Sequence, residues 1–273
     1  MNRETDEVPN PREIRYWEVD ALRGLAVFMM ILYHILFDID YLDIARIQVG
    51  TGPLRLLALA TVTIFLLLVG VSLTMSYHRH SRVEGITGYG RFFRRGLRIL
   101  VLAGTVTLVT YLVIPERFIV FGVLHCIGLS VIIGPLFIRL GAWNFFTGCI
   151  CILMGSLLST FSGPAWLLWA GIVPDGFASL DYVPMFPWFG VVMVGIAAGT
   201  LLYPEGIRAF SIRKPSSWLY SPLLWSGRHS LLVYMIHQPL ILGALGILYP
   251  VGIQHLFSGT LLTGIIALRC FVQ

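Results

Sequence analysis

The stretch Arg15–Tyr41 reads RYWEVDALRGLAVFMMILYHILFDIDY. Its middle is apolar enough for lipid, yet it carries Asp20, Arg23, His34, Asp38 and Tyr41. On a helix advancing 100° per residue with His34 at zero, Arg23 and Tyr41 fall near about −20° and the two aspartates near about +40°. Five polar groups therefore share one narrow stripe. Ionisable groups at membrane depth are costly and usually face a protein interior or a water-filled cavity, which makes the stripe a functional-site hypothesis. The competing reading is that the stripe only locks this helix against its neighbours.

Outward from this helix the same composition persists. Of 273 residues, 57% are hydrophobic and 12% are charged, too few charges for the surface of a soluble domain of this length. Apolar runs approach the roughly 20 residues that cross a bilayer. They predict an all-α polytopic membrane bundle of about eight spans, at 21–41, 54–77, 96–114, 118–138, 142–160, 184–203, 223–248 and 256–272. Residues 164–173 are apolar but too short to span, and read as a re-entrant or surface segment. Residues 1–20 read as a cytoplasmic N-terminal segment and 21–273 as one transmembrane domain. The polar start and the length of the first apolar run argue against a cleaved signal peptide.

With the N-terminus inside and eight spans, both termini are cytoplasmic. All of the 19 Lys and Arg residues except Arg46, Arg55 and Arg117 then fall on the inner side, as the positive-inside rule requires. The net charge of +5 thus reflects the cytoplasmic face and not nucleic-acid binding, for which no motif appears. Cys126, Cys149, Cys151 and Cys270 all lie in predicted spans. They read as small packing residues, with no disulfide framework and no metal-ligand spacing.

Three further groups carry potential chemistry. His34 lies roughly 10 Å below the outer end of its helix, with Asp38 one turn away to orient the ring. His125 is predicted at a similar depth on span four; its alternative role is a hydrogen bond between helices. Span seven sets Ser230, Tyr234 and His237 on one face, either as a substrate wall or as a kinked packing helix before Pro239. Gly195 and Gly199 suit close helix packing. Trp188 sits where an outer aromatic belt is expected, Asp181 lies in the outer segment just before it, and both are candidate substrate-lining residues with Tyr234 and His237. Arg91, Arg94, Arg95 and Arg98 lead into span three. Guanidinium forks grip phosphates, so the cluster suits either an anionic cofactor or acidic lipid heads, the latter favoured by composition alone. An extended cofactor held there could send an arm along the stripe towards His34, and coenzyme A has that shape.

The string Arg15-x4-Asp20-x2-Arg23-Gly24 with His34 fourteen residues after Asp20 resembles the first helix of transmembrane acyltransferases. Further matches are Phe37-Asp38, Val69-Gly70-Val71-Ser72, Phe121-Gly122-Val123-Leu124-His125, Pro187-Trp188-Phe189-Gly190, Gly227-Arg228-His229-Ser230-Leu231 and Ile236-His237-Gln238-Pro239. Together they are similar to the bacterial and archaeal branch related to the heparan-alpha-glucosaminide N-acetyltransferase catalytic domain. The Asp20, Arg23 and His34 spacing also resembles the type-3 acyltransferases that modify surface polysaccharides.

The resemblance implies transfer of an acyl group, acetyl in the simplest case, from cytoplasmic acyl-CoA to a sugar, glycolipid or small amine across the membrane. It implies that Asp20 and Arg23 lie near the acyl-CoA and that His34 is the catalytic histidine. It also implies a cell-membrane location, no metal, and a homodimer. The lysosomal enzymes carry Asn at the position matching His34, so this histidine assignment rests on the type-3 comparison and on the stripe. In the mechanism this suggests, His34 takes the acceptor's proton, Asp38 orients it, and His125 or Tyr234 stabilises the oxyanion. A proton-coupled transporter that uses the His and Asp stripe as a relay is the alternative function, and a scaffold without chemistry is the third.

Overall fold

The structure, a computed structural model, describes residues 15–84, 88–213 and 218–250. Eight α-helices follow in order: α1 Trp17–Tyr41, α2 Gly52–Glu84, α3 Tyr89–Val113, α4 Val123–Ile133, α5 Asn144–Leu158, α6 Met185–Leu202, α7 Ser221–Arg228 and α8 Ser230–Leu248. Short 3-10 turns join several of them. No strand is present among the described residues beyond an isolated parallel bridge between Ser162 and Val173. Six helices are long and apolar enough to cross a membrane: α1, α2, α3, α5 with the turn before it, α6 and α8. The predicted span at 256–272, the first fourteen residues and Cys270 lie outside the described residues.

Two expected spans take another form. The run at 118–138 forms only a short helix, because its ends are set by other bonds. Residues 117–121 lie beside 180–183, where Val183 N–H donates to the Phe121 carbonyl at 2.9 Å and Leu180 N–H to the Arg117 carbonyl at 2.9 Å. At the far end Pro135, lacking an N–H, turns the helix into the 3-10 stretch Gly134–Leu136. The run at 223–248 is divided into α7 and α8 at His229 (φ −109°, ψ 25°), whose N–H and ring both bond the Trp225 carbonyl. The second and third helices also run beyond the expected spans 54–77 and 96–114: α2 continues to Glu84 and α3 starts at Tyr89, which places the arginine cluster inside α3. Residues 165–170 form a 3-10 turn, too short to span.

α6 is the centre of the bundle, with half of its span buried. It packs on α2 and α5 through positions without side chains. A Cβ at Gly70 would collide with the Val192 carbonyl, one at Gly195 with the Leu67 carbonyl, and one at Gly148 would lie 2.7 Å from the Gly190 carbonyl. Gly199 meets Thr74 in the same way, at 2.9 Å, so the Gly195-x-x-x-Gly199 pair does bring helices together. Leu66, Leu73, Val192 and Ile196 fill the core between them.

α1 lies against α2, α7 and α8. Its outer face carries exposed Leu22, Leu25, Phe28 and Leu32 on the side away from the polar stripe, with exposed Ile35 at its flank. The stripe faces protein: Asp20 is 8% exposed and Asp38 2%. At the start of α1, Glu18 accepts from Tyr203 Oη at 3.1 Å and from Arg208 Nη1 at 3.2 Å, while Tyr16 Oη donates to the Gly206 carbonyl at 3.0 Å. This clasp joins the beginning of α1 to the turn after α6.

Candidate functional site

The polar stripe of α1 divides into two halves with different partners. In the first, Asp20 lies between two arginines, 3.4 Å from Arg23 Nη1 and 3.3 Å from Arg228 Nε. Arg23 also donates to Ser72 Oγ at 2.8 Å. Helices α1 and α7 touch here backbone to backbone: a Cβ at Gly24 would strike the Leu223 carbonyl, and one at Gly227 the Asp20 carbonyl. Asp20 and Arg23 thus hold α1 against α7 and α2. Arg15 and Arg95 lie within electrostatic reach of Arg23, so the end of α1 and the arginine run of α3 share one cationic region. Arg91, Arg94, Arg95 and Arg98 are all exposed along α3, and Arg94 Nε donates to its own helix at the Gly90 carbonyl.

In the second half, His34 meets α8. Its ring lies 4.7 Å from that of His237, centroid to centroid, edge to face at 84°. Each imidazole is oriented by its own helix: Nδ1 of His34 is 2.8 Å from the Met30 carbonyl and Nδ1 of His237 is 2.7 Å from the Tyr234 carbonyl. A carbonyl only accepts, so both neutral rings carry the proton on Nδ1 and keep a lone pair on Nε2. The Nε2 of His237 is buried and makes no hydrogen bond among the described residues. Asp38 does not bond His34. Both its oxygens accept from Gln238 Nε2, each at 2.9 Å, which ties α1 to α8 one residue beyond the histidine pair. Tyr41 stacks on Phe37 with centroids 5.8 Å apart.

His125 and Asp181 line a narrow crevice together with Tyr234, Gly122 and Ile119. The Gly122 N–H donates to His125 Nδ1 at 3.3 Å, so the neutral ring carries its proton on Nε2, opposite to the other two histidines. Phe121 stacks on it at 5.4 Å. The Asp181 Oδ2 accepts the Val123 N–H at 2.9 Å and thereby caps α4. Burial raises this carboxyl to about 6, against the lowering effect of that hydrogen bond. Its backbone is pinned by Ser179 Oγ, which donates to the Phe118 and Asp181 carbonyls at 3.0 Å. Tyr234 joins the two regions: it lines the crevice and its ring lies 5.6 Å from that of His237.

The sequence predicts His125 at the depth of His34; the ring that meets His34 is that of His237, and His125 lines the crevice with Asp181 and Tyr234. Trp188 packs against the main core. Gln238, which the sequence offers only as part of the motif before Pro239 and as a partner for the carbonyl that the proline frees, is instead the donor to Asp38. Its signal was the polar pair His237-Gln238 on an otherwise apolar helix.

Residues 15–239 match the sequence profile of the family described as heparan-alpha-glucosaminide N-acetyltransferase, catalytic. The chain belongs to that family. Membership of this acetyltransferase family and the six apolar helices make it an integral membrane protein of acetyltransferase type. The match runs from Arg15 to Pro239, so it takes in every residue of the stripe, the crevice and the histidine pair. No curated protein and no solved structure matches the chain. Among the described residues no group of three or more His, Cys, Asp or Glu could hold a metal ion. Cys126, Cys149 and Cys151 are free thiols in packed helices.

Proposed function

We propose that the protein transfers an acetyl group from acetyl-CoA to a hydroxyl or amine of a sugar-type acceptor, with His34 as general base. The observation that carries this reading is the His34 and His237 pair, in which hydrogen bonds to backbone carbonyls free both Nε2 atoms to accept protons. Such preset tautomers suit a base that must abstract a proton as bond formation begins.

The acceptor heteroatom attacks the thioester carbonyl carbon while its proton passes to His34 Nε2. The carbon–sulfur bond then breaks and the thiolate leaves, taking up a proton to become the thiol of coenzyme A. The imidazolium of His34 would form beside the buried lone pair of His237, which offers it a hydrogen-bond acceptor. The Nε2–H of His125 and the hydroxyl of Tyr234 are the donors available for the oxyanion. Asp38 supports the site through Gln238 and not by touching His34.

The phosphates of the donor suit the cationic region around Arg95, Arg91, Arg94 and Arg98, with Arg23 at its edge, since forked guanidinium contacts match phosphate oxygens. This reading sets the acetyl-CoA side in the cytoplasm, and a cell membrane fits the charge bias of the loops. A proton-coupled carrier is the second reading, favoured by the same two imidazoles at membrane depth.

The test uses purified protein, radiolabelled acetyl-CoA and a hexosamine mixture. Labelled acceptor that disappears in His34→Ala, with acetyl-CoA binding retained, supports the assignment. Flux of an acceptor across liposomes without acetyl-CoA favours the carrier.

A further inference from the structure

Helix α7 and the turn before it present one exposed face. Trp218, Ser221, Trp225 and Arg228 follow one another at spacings of three, four and three. Residues 218–220 form a 3-10 turn that runs directly into α7. Three residues per 3-10 turn and 3.6 per α turn bring all four positions to one line. Trp218 is 80% exposed and Trp225 54%, and Ser221 is exposed with them. The opposite face is the packed one: Ser226 and Gly227 are buried, and the Leu223 carbonyl meets α1 at Gly24.

Neither hydrocarbon nor bulk water suits the exposed line. Hydrocarbon does not suit Arg228, whose side chain is 40% exposed, and water does not suit two bare indoles. Tryptophan beside arginine fits the headgroup layer, where the rings lie at the apolar boundary and the guanidinium reaches phosphate. The neighbouring helices put α7 at that depth. α1 exposes Leu22 and Leu25 within one turn of Gly24, and α8, which follows α7, exposes Leu231 and Leu232.

Charge selects the lipid. From Gly206 to the end of the sequence there is no Asp or Glu, whereas Arg208, Arg213, Lys214 and Arg228 all precede α8. Arg208 is matched by Glu18. Arg213 is exposed and has no partner among the described residues. Arg228 gives only its Nε to Asp20, which leaves both Nη groups of the fork for a phosphate. We propose that this face binds acidic phospholipid headgroups of the adjoining leaflet, with Trp218 and Trp225 in the headgroup layer and Arg213 and Arg228 on the phosphates. On the positive-inside expectation that leaflet is the cytoplasmic one, whose acidic lipids attract basic segments. Arg228 then joins α1 to the leaflet, since the same side chain holds Asp20. The inference holds whether the bundle transfers acetyl groups or carries a solute.

The experiment titrates tail-labelled phosphatidylglycerol or phosphatidylcholine into the full chain in detergent. Phosphatidylglycerol is expected to bind about tenfold tighter or more, and Arg213→Gln and Arg228→Gln should each weaken it about fivefold. Arg213→Gln should leave the melting temperature unchanged. Arg228→Gln also loses the contact to Asp20, so it is read beside Arg228→Lys, which keeps the charge without the fork and should recover part of the affinity. In nanodiscs containing phosphatidylglycerol, a spin label on the headgroup should quench indole fluorescence. Replacing Trp218 and Trp225 together by Phe should remove a clear part of that quenching.

Equal affinity for the two lipids overturns the proposal. A preference that survives Arg213→Gln and Arg228→Gln combined overturns it too, and assigns the lipid to the arginines of α3. Quenching unchanged by the double tryptophan replacement takes the face out of the headgroup layer. Displacement of labelled phosphatidylglycerol by millimolar inorganic phosphate also overturns the proposal, because the site then takes a free anion and not a headgroup.

Discussion

The imidazoles of His34 and His237 meet edge to face at 4.7 Å, although 203 positions separate them in the chain. Each ring gives its Nδ1 proton to a carbonyl of its own helix, so the pair presents two lone pairs and no proton. Loss of one general base commonly costs 10²–10⁴-fold in rate. His34→Ala is expected to lower acetyl transfer by about that factor with acetyl-CoA binding intact. His237→Ala should lower it less and shift the pH–rate profile, because it removes the acceptor beside the charged His34 and not the base itself. Steady-state kinetics on both variants, with thermal unfolding as a control, check this.

Asp38 is a 2% exposed carboxylate whose hydrogen bonds come from Gln238. Removing the donor leaves a buried charged acceptor unsatisfied, at about 1–3 kcal/mol or more. Gln238→Leu should therefore lower the melting temperature clearly, and Asp38→Asn with Gln238 kept should lower it less. If Gln238→Leu melts like the unaltered protein, the bond has no structural weight.

The backbone contact of α1 with α7 leaves no room at Gly24 or Gly227. A methyl group at either position must push the helices apart, and overpacking of this kind costs about 1–3 kcal/mol. Gly227→Ala should destabilise the protein in denaturant titrations and weaken the Asp20 contact to Arg228. Gly243→Ala, at an open position on α8, is the control expected to change little.

The Asp181 carboxyl ionises near 6 because burial disfavours its charge. Its folded value lies above the ordinary carboxylate range, so the folded state holds more protons than the unfolded one between about 4 and 6. Stability from this group is full below about 4 and falls as pH rises through that window. Asp181→Asn should flatten this trend. Denaturant titrations from pH 4 to 7 measure it.

The stripe of α1 was legible because helical phase and the cost of ionisable groups in lipid both act on one segment. Asp20, Arg23, His34 and Asp38 all face protein, and the exposed leucines lie opposite. Which helix each of them meets was not legible. The choice of His237 over His125 depends on the rotation of α8 against α1, a relation between distant segments that one periodicity cannot encode. The break between α7 and α8 left a partial trace in Gly227 and Ser230, but the apolar run around them reads as one span. The short α4 was hidden for another reason. Its start is fixed by Asp181, 58 residues away, so local hydrophobicity overstates its length. The joined cationic ends of α1 and α3 follow from charges that the sequence displays openly, whereas the direct bonds of Asp20 to Arg228 and Arg23 to Ser72 do not.

The α7–α8 segment is fastened to α1 twice, by Arg228 on Asp20 and by Gln238 on Asp38. The two carboxylates are eighteen residues apart, five whole turns, so they project from the same line of one rigid rod. His237 rides between these fastenings. Sliding or rolling α8 past α1 would have to break one of them, and the alignment of the two imidazoles is thus governed partly from the far end of the helix. A substitution at Arg228, roughly 20 Å along α1 from His34, would be felt as a slower turnover with no loss of substrate affinity.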